Sequence, residues 1–184
     1  MLTLAFDSSS KTVSVALLEK KNIIYEQHLN TGLNHSEVIL PAIDKALKKN
    51  NLKIKDIDLF ACTVGPGSFT GVRLAVSTIK GMMLATSKPA VGVSTLASLA
   101  LNVSNTEKLI CVVMDAGRGQ VYTANFCYDK KGILQQTTKE IVIKPQILLA
   151  DSDEEIICVG EGVIKYEDVI LKHKKKKVNY ERFT

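Results

Sequence analysis

The sequence carries the same short unit twice. An apolar run, Leu2 to Phe6, ends at Asp7, turns through Ser8-Ser9-Ser10-Lys11 and goes out again with Val13, Val15 and Leu17 alternating with smaller or polar residues. Leu109 to Met114 likewise end at Asp115, turn through Ala116-Gly117-Arg118-Gly119 and go out over residues 121–128. Val13 follows Asp7 by six residues and Val121 follows Asp115 by six, while a third segment opens 16 residues after Asp7 at Ile23 and 18 after Asp115 at Ile133. Period-two alternation broken by polar turns is the mark of strands. A strand–Asp–turn–strand–turn–strand unit repeated at an offset of 108 residues implies an internal duplication.

Helical spacing separates the copies. Asn34 and Glu37 stand at capping-box separation before the stripe Val38, Ile39, Ile43, Ala46 and Leu47, with Pro41 inside it predicting a kink. Residues 57–64 read as a buried strand that runs into Gly65-Pro66-Gly67-Ser68-Phe69-Thr70-Gly71. A helix follows to about Thr86, apolar on nearly every face, with only Arg73, Ser77, Thr78 and Lys80 polar. Residues 91–93 form a short strand, and 94–103 a small-residue helix.

An aspartate at a strand end, followed by a Ser/Gly turn, suits phosphate binding: the turn offers backbone N–H groups and the carboxylate orients metal or water. Asp7, Ser8, Ser9 and Asp115 are the candidates, joined by Ser68 and Thr70 ahead of a helix N-terminus. The plainer reading is that both aspartates end strands and cap turns. Gly71 is followed by Val72 and Arg73, so the loop is not a P-loop. Duplication with paired aspartates predicts an α/β fold of two lobes, actin/Hsp70/sugar-kinase-like, with a ribonuclease H-like unit in each. Lobes are expected over 1–104 and 105–171, with a basic tail over 172–184.

That tail holds the whole net charge of +5; the other 171 residues balance 18 basic against 18 acidic side chains. Its Lys172 to Lys177 run reads as a solvated segment without interleaved aromatics for base stacking. Cys62, Cys111, Cys127 and Cys158 show no CxxC spacing, which excludes a disulfide scaffold or ordinary zinc site and points to buried reduced thiols in the cytoplasm. The opening residues have no basic n-region, and no apolar stretch reaches membrane-spanning length.

MLTLAFDSSS, the His35-Ser36-Glu37…Leu40-Pro41 helix, GPGSFTGVR at 65–73, PAVGVSTL at 89–96 and VMDAGRGQVY at 113–122 resemble the TsaB (YeaZ) family, in order from residue 1 to about 165. The resemblance implies a non-catalytic subunit of the machinery that makes threonylcarbamoyladenosine 3′ of the tRNA anticodon. Its partners would be a TsaD-like catalytic paralogue and a TsaE-like ATPase, with tRNA reached through the complex and a homodimer formed when alone. The TsaD His-x-x-x-His metal pair aligns with Thr95 and Leu99, which are not ligands, and His28, His35 and His173 have no such spacing. No metal, no catalytic residue and no cofactor are therefore expected, apart from vestigial nucleotide binding at the phosphate-loop candidates. Partner contact is expected on the helices over 35–49 and 69–86, at His35, Ile39, Ile43, Leu47, Val72, Val76, Ile79 and Met83. Ala75, Gly81 and Ala85 would allow close helix approach. On that assignment Val76→Glu or Ile79→Glu leaves the fold intact and abolishes binding. The alternative function is an ATPase or phosphotransferase using Asp7 and Asp115. Family members continue past the equivalent of residue 171 with further helices and a closing Pro-x-Tyr-Leu-Arg segment. This sequence instead reads KYEDVILKHKKKKVNYERFT, so a shortened second lobe is expected.

Overall fold

The computed structural model describes residues 1–30, 35–148, 155–172 and 178–180. They divide into two compact units, Met1–Thr95 and Leu96–Thr184.

In the first unit, β1 (Leu2–Asp7), β2 (Val13–Glu19) and β3 (Asn22–Leu29) form an antiparallel meander, as the alternation predicts. Helix α1 (His35–Lys49) leads by a 3₁₀ turn to β4 (Leu59–Thr63), and α2 (Phe69–Thr86) leads to β5 (Ala90–Val93). Both later strands add in parallel, giving the sheet order β3-β2-β1-β4-β5. The apolar stripe of α1 buries Val38, Ile39, Ala42, Ile43, Ala46 and Leu47 against Leu4, Val13, Val15, Leu17 and Phe60. At about 25 cal/mol per Å² of apolar surface removed from water, these side chains are the unit's main source of stability. The expected cap Asn34 lies outside the described residues.

The second unit repeats this plan. Strands β6 (Leu109–Gly117), β7 (Gln120–Tyr128) and β8 (Leu134–Gln136) form the antiparallel meander, with β9 (Ile141–Ile143) also pairing with β7. Strand β10 (Ile156–Val159) and then β11 (Val178–Tyr180) add in parallel beyond β6, so the path β8-β7-β6-β10-β11 matches β3-β2-β1-β4-β5 strand for strand. The duplication read from the two aspartates is thus a duplication of topology, and the chain has the two-unit, actin-like α/β fold.

Two expected boundaries move. Helix α3 (Thr95–Ala100) stops short of residue 103, and Leu96, Ala100 and Val103 are buried with Ile110, Val112, Ala124 and Phe126. These side chains belong to the second core, so the units divide at 95/96 and not at 104/105. Nor is 172–184 wholly a tail: Lys172 ends α5 (Glu167–Lys172), and the backbone of Val178–Tyr180 pairs with Ile156–Cys158. The strand completes a five-strand path that the sequence seemed to leave short. Among the described residues, no helix is long and apolar enough to cross a membrane.

Candidate functional site

Asp7 ends β1, and its Oδ1 accepts hydrogen bonds from the Ser9 N–H, at 3.0 Å, and from the Thr63 hydroxyl at the end of the neighbouring β4. The first bond folds the Asp7-Ser8-Ser9 turn; the second ties that turn to the sheet. The loop over 65–71 then packs onto the turn. Ser68 N–H donates to the Ser9 carbonyl at 2.7 Å, the Ser8 hydroxyl donates to the Gly71 carbonyl at 2.8 Å, and Gly71 N–H donates to Ser68 Oγ at 3.3 Å. The glycines have a packing reason. A β-carbon on Gly67 would lie 2.4 Å from the Ser9 carbonyl oxygen, and one on Gly71 would lie 1.8 Å from that of Ser8. Ser8 and Ser9 are buried, whereas Ser68 and Thr70 are exposed.

The structure therefore brings five of the six phosphate-loop candidates, Asp7, Ser8, Ser9, Ser68 and Thr70, into one neighbourhood, but their polar groups serve the chain itself. Ser9 N–H is held by Asp7, Ser68 N–H by Ser9, and Gly71 N–H by Ser68. A phosphate cradle needs such donors free to converge on the anion. The residues present do not fit a nucleotide held in that way, and no chemical step is routed through one.

Asp115, the sixth, stands at the matching end of β6 with different partners. Lys165 Nζ donates to Oδ2 at 2.5 Å, the Tyr166 hydroxyl to Oδ1 at 2.9 Å, and Gly117 N–H to Oδ1 at 3.1 Å. The Lys165 hydrogen bond, then those of Tyr166 and Gly117, outweigh desolvation and hold the Asp115 carboxyl below the usual carboxylate range. Lys165 closes α4 (Glu161–Lys165), which reaches β6 because Gly160 has φ +106° and its α-carbon leaves only 2.4 Å between a β-carbon and the Val113 carbonyl oxygen. Sequence reading missed Lys165 and Tyr166: they lie 50 and 51 residues from Asp115, and no local pattern links them.

A second missed arrangement shares the Asp7 face. Strand register sets Asp7 opposite Ser14 and Ser14 opposite His28. The His28 ring is held between Ser14 Oγ, 2.8 Å from Nδ1, and Glu26 Oε1, 3.1 Å from Nε2.

The helices expected to bind a partner divide sharply. Ile39, Ile43 and Leu47 on α1 and Ile79 on α2 are core residues of the first unit. They are spoken for by the sheet, which corrects the expectation that they face a partner. Val72, Val76 and Met83 are half-buried, and the side chain of His35 lies outside what is described. On α2 the inward line is Gly71, Ala75 and Ile79. The outward one is Phe69, Arg73, Ser77, Lys80 and Leu84, with Gly81 and Ala85 beside it. Phe69 is 78% and Leu84 86% exposed, and Leu40 on α1 is 54% exposed. These three large apolar residues were not among the expected contacts, although the all-round apolarity of α2 signalled an uncovered face. Thr95 donates its N–H to the Gly65 carbonyl, and Leu99 packs on the second core, as befits positions that bind no metal.

Comparison with known proteins follows the same lines. The family model described as TsaD, tRNA N6-adenosine threonylcarbamoyltransferase, matches residues 22–180. The tRNA threonylcarbamoyladenosine biosynthesis protein TsaB of Bacillus subtilis is 36% identical over 177 residues, covering 92% of this chain and 75% of the relative. TsaB of Escherichia coli is 32% identical over 174 residues, with coverage of 92% and 75%. The solved structure of YeaZ from Pseudomonas aeruginosa superposes with a TM-score of 0.85 at 25% identity, covering 98% of this chain and 83% of that one.

Proposed function

The chain belongs to the TsaB (YeaZ) family of tRNA threonylcarbamoyladenosine biosynthesis proteins, and from that premise we propose that it is a non-catalytic subunit that binds and activates a TsaD-like paralogue through the outward face of α2. The observation that carries this reading is the exposure of Phe69 and Leu84 on a helix whose inward face is already packed. Large apolar side chains exposed together on one face mark a protein interface. Gly81 and Ala85 keep the same face low, so that another helix approaches closely. A paralogue with the same fold offers an equivalent helix, and without it two copies of this chain pair through the same patch. A TsaE-like ATPase completes the assembly, which is the route to tRNA.

The competing reading, an ATPase or phosphotransferase using Asp7 and Asp115, has the internal bonding of both carboxylates against it. Asp7 is engaged by Thr63 and Ser9, and Asp115 carries a lysine as counter-ion. Light-scattering mass after gel filtration tests the proposal, with the chain alone and mixed with a TsaD-like paralogue. A homodimer that exchanges into a one-to-one heterodimer is expected. A monomer that ignores the paralogue, with a cooperative thermal melt, overturns it.

A further inference from the structure

Charge is divided unevenly between the units. Residues 1–95 hold 11 basic and seven acidic side chains, and residues 96–171 hold seven basic and 11 acidic. The excess in the first unit gathers at one end of its sheet, the end opposite Asp7. Register puts the start of β1, the β2–β3 turn and the starts of β4 and β5 together there, with Leu2 opposite Glu19, Thr3 opposite Leu59 and Phe60 opposite Ala90. Lys20 N–H bonds the Met1 carbonyl, and Asp58 N–H bonds that of Leu2. Helix α1 also ends there: Leu52 N–H closes on Leu47 O, and Lys49 Nζ lies 5.9 Å over the Tyr25 ring of β3.

This end carries Lys20 and Lys21 from the β2–β3 turn, Lys48 and Lys49 from α1, Lys53 and Lys55 from the 3₁₀ turn, and Lys88 before β5. Asp44 pairs with Lys48 at 2.7 Å, Asp58 reaches Lys88 at 3.7 Å, and the Asp56 carboxylate is spent on the Lys53 backbone N–H at 2.8 Å. Among the described residues, Lys20, Lys21, Lys49, Lys53 and Lys55 have no ion-pair partner, and all five are exposed. Adjacent strands lie about 4.8 Å apart, so five strands spread these ammonium groups over about 19 Å.

We propose that this lysine-lined end of the first unit is a docking surface for an RNA phosphate backbone, contacting it without reading sequence. Lysines are compact point charges that neutralise phosphates with little demand on geometry. Uncompensated cations on one face are the electrostatic footprint of a polyanion partner. The identity of that polyanion as tRNA rests on the family role above; the cationic surface itself does not. Met1 and Ile23 are exposed at the same end, so the test must separate RNA from an acidic protein.

The experiment measures binding of an unmodified tRNA transcript by fluorescence anisotropy across a salt series. It uses the full chain alone and in a one-to-one mixture with a TsaD-like paralogue. A variant with Lys20→Asn, Lys21→Gln, Lys53→Gln and Lys55→Gln is compared with a charge-matched control in the second unit carrying Lys130→Gln, Lys131→Gln, Lys139→Gln and Lys144→Gln. In the first variant, the slope of log K against log salt becomes shallower by about three to four, and affinity at moderate salt falls by about tenfold or more. The control keeps the wild-type slope. Equal losses in both variants would make the effect one of net charge and overturn the proposal, as would an unchanged slope in the first. Loss of paralogue binding with RNA binding intact would make the surface a protein contact and overturn it too. Light scattering on the wild-type mixture reports separately on the subunit reading, because RNA binding by the chain alone does not depend on it.

Discussion

Gly71 rests on Ser8 so closely that a β-carbon would lie 1.8 Å from the Ser8 carbonyl oxygen. Both atoms belong to backbone fixed by hydrogen bonds on either side, so neither can yield cheaply. Gly71→Ala is expected to destabilise the chain by about 3 kcal/mol, at the upper end for overpacking. Gly81, on the same helix, has nothing within 4 Å of its β-carbon position. Gly81→Ala is expected to stabilise the isolated chain by about 0.5–1 kcal/mol through helix propensity. Urea unfolding of the two variants checks the pair; a neutral Gly71→Ala would refute the locked-loop account of the GPGSFTG segment.

The Asp115–Lys165 pair gives stability with a defined pH window. Asp115 is held below its ordinary value, chiefly by Lys165, so its contribution is present above about pH 3.9 and is lost as pH falls through the folded value. Lys165 is raised by the same hydrogen bond, so its contribution is present below about pH 10.4 and is lost as pH rises through its folded value. Both side chains are partly solvated, which keeps the effect small. Lys165→Met should lower the melting temperature near pH 7, and the gap to wild type should close as the solution is acidified below pH 3. A gap that persists at that pH would show the loss to be one of packing.

Much of this fold is legible in the sequence because its elements are periodic. The two meanders, the helix ending at Thr86 and the 108-residue offset of the aspartates all follow from alternation, turn residues and stripe spacing. What is not legible depends on contacts far apart in sequence. Lys165 meets Asp115 across 50 residues, and nothing local marks the meeting. The partner face failed for a different reason. Alpha-helix α2 is apolar all round, so composition shows that some face is uncovered without saying which. Burial decides it: Gly71, Ala75 and Ile79 face the sheet, and Phe69 and Leu84 face away. On α1 the apolar stripe simply was the core.

The thiols supply a test of burial that needs no partner. Cys62, Cys111 and Cys158 are buried, and Cys127 is half-buried. Desolvation pushes the Cys62 thiol up, while the neighbouring Cys111 and burial push Cys158 well above the ordinary thiol range. Only the thiolate reacts with disulfide reagents. One thiol per chain, Cys127, should therefore react rapidly with a chromogenic disulfide in native buffer, with the other three appearing in urea. Rapid native reaction in a Cys127→Ser variant would show that the second unit opens more readily than its core implies.

The outward face of α2 yields the sharpest prediction, since it separates residues that sequence alone had grouped. Ile79 is 5% exposed and packs in the first core, so Ile79→Glu places an unpaired carboxylate among apolar side chains and should unfold the unit. That reverses the expectation drawn from the helix before its orientation was known. Phe69→Glu and Leu84→Glu change side chains that are 78% and 86% exposed, and should leave the melting temperature within a few degrees of wild type. If α2 is the partner surface, each should weaken association with a TsaD-like paralogue by about tenfold or more, because a truncated and charged anchor leaves its pocket both unfilled and desolvated. The readout is heterodimer mass by light scattering across a concentration series, with circular dichroism as the check on folding. Folded Phe69→Glu and Leu84→Glu chains that form the heterodimer as tightly as wild type would place the partner elsewhere on the first unit, and the exposed apolar face of α2 would need another explanation.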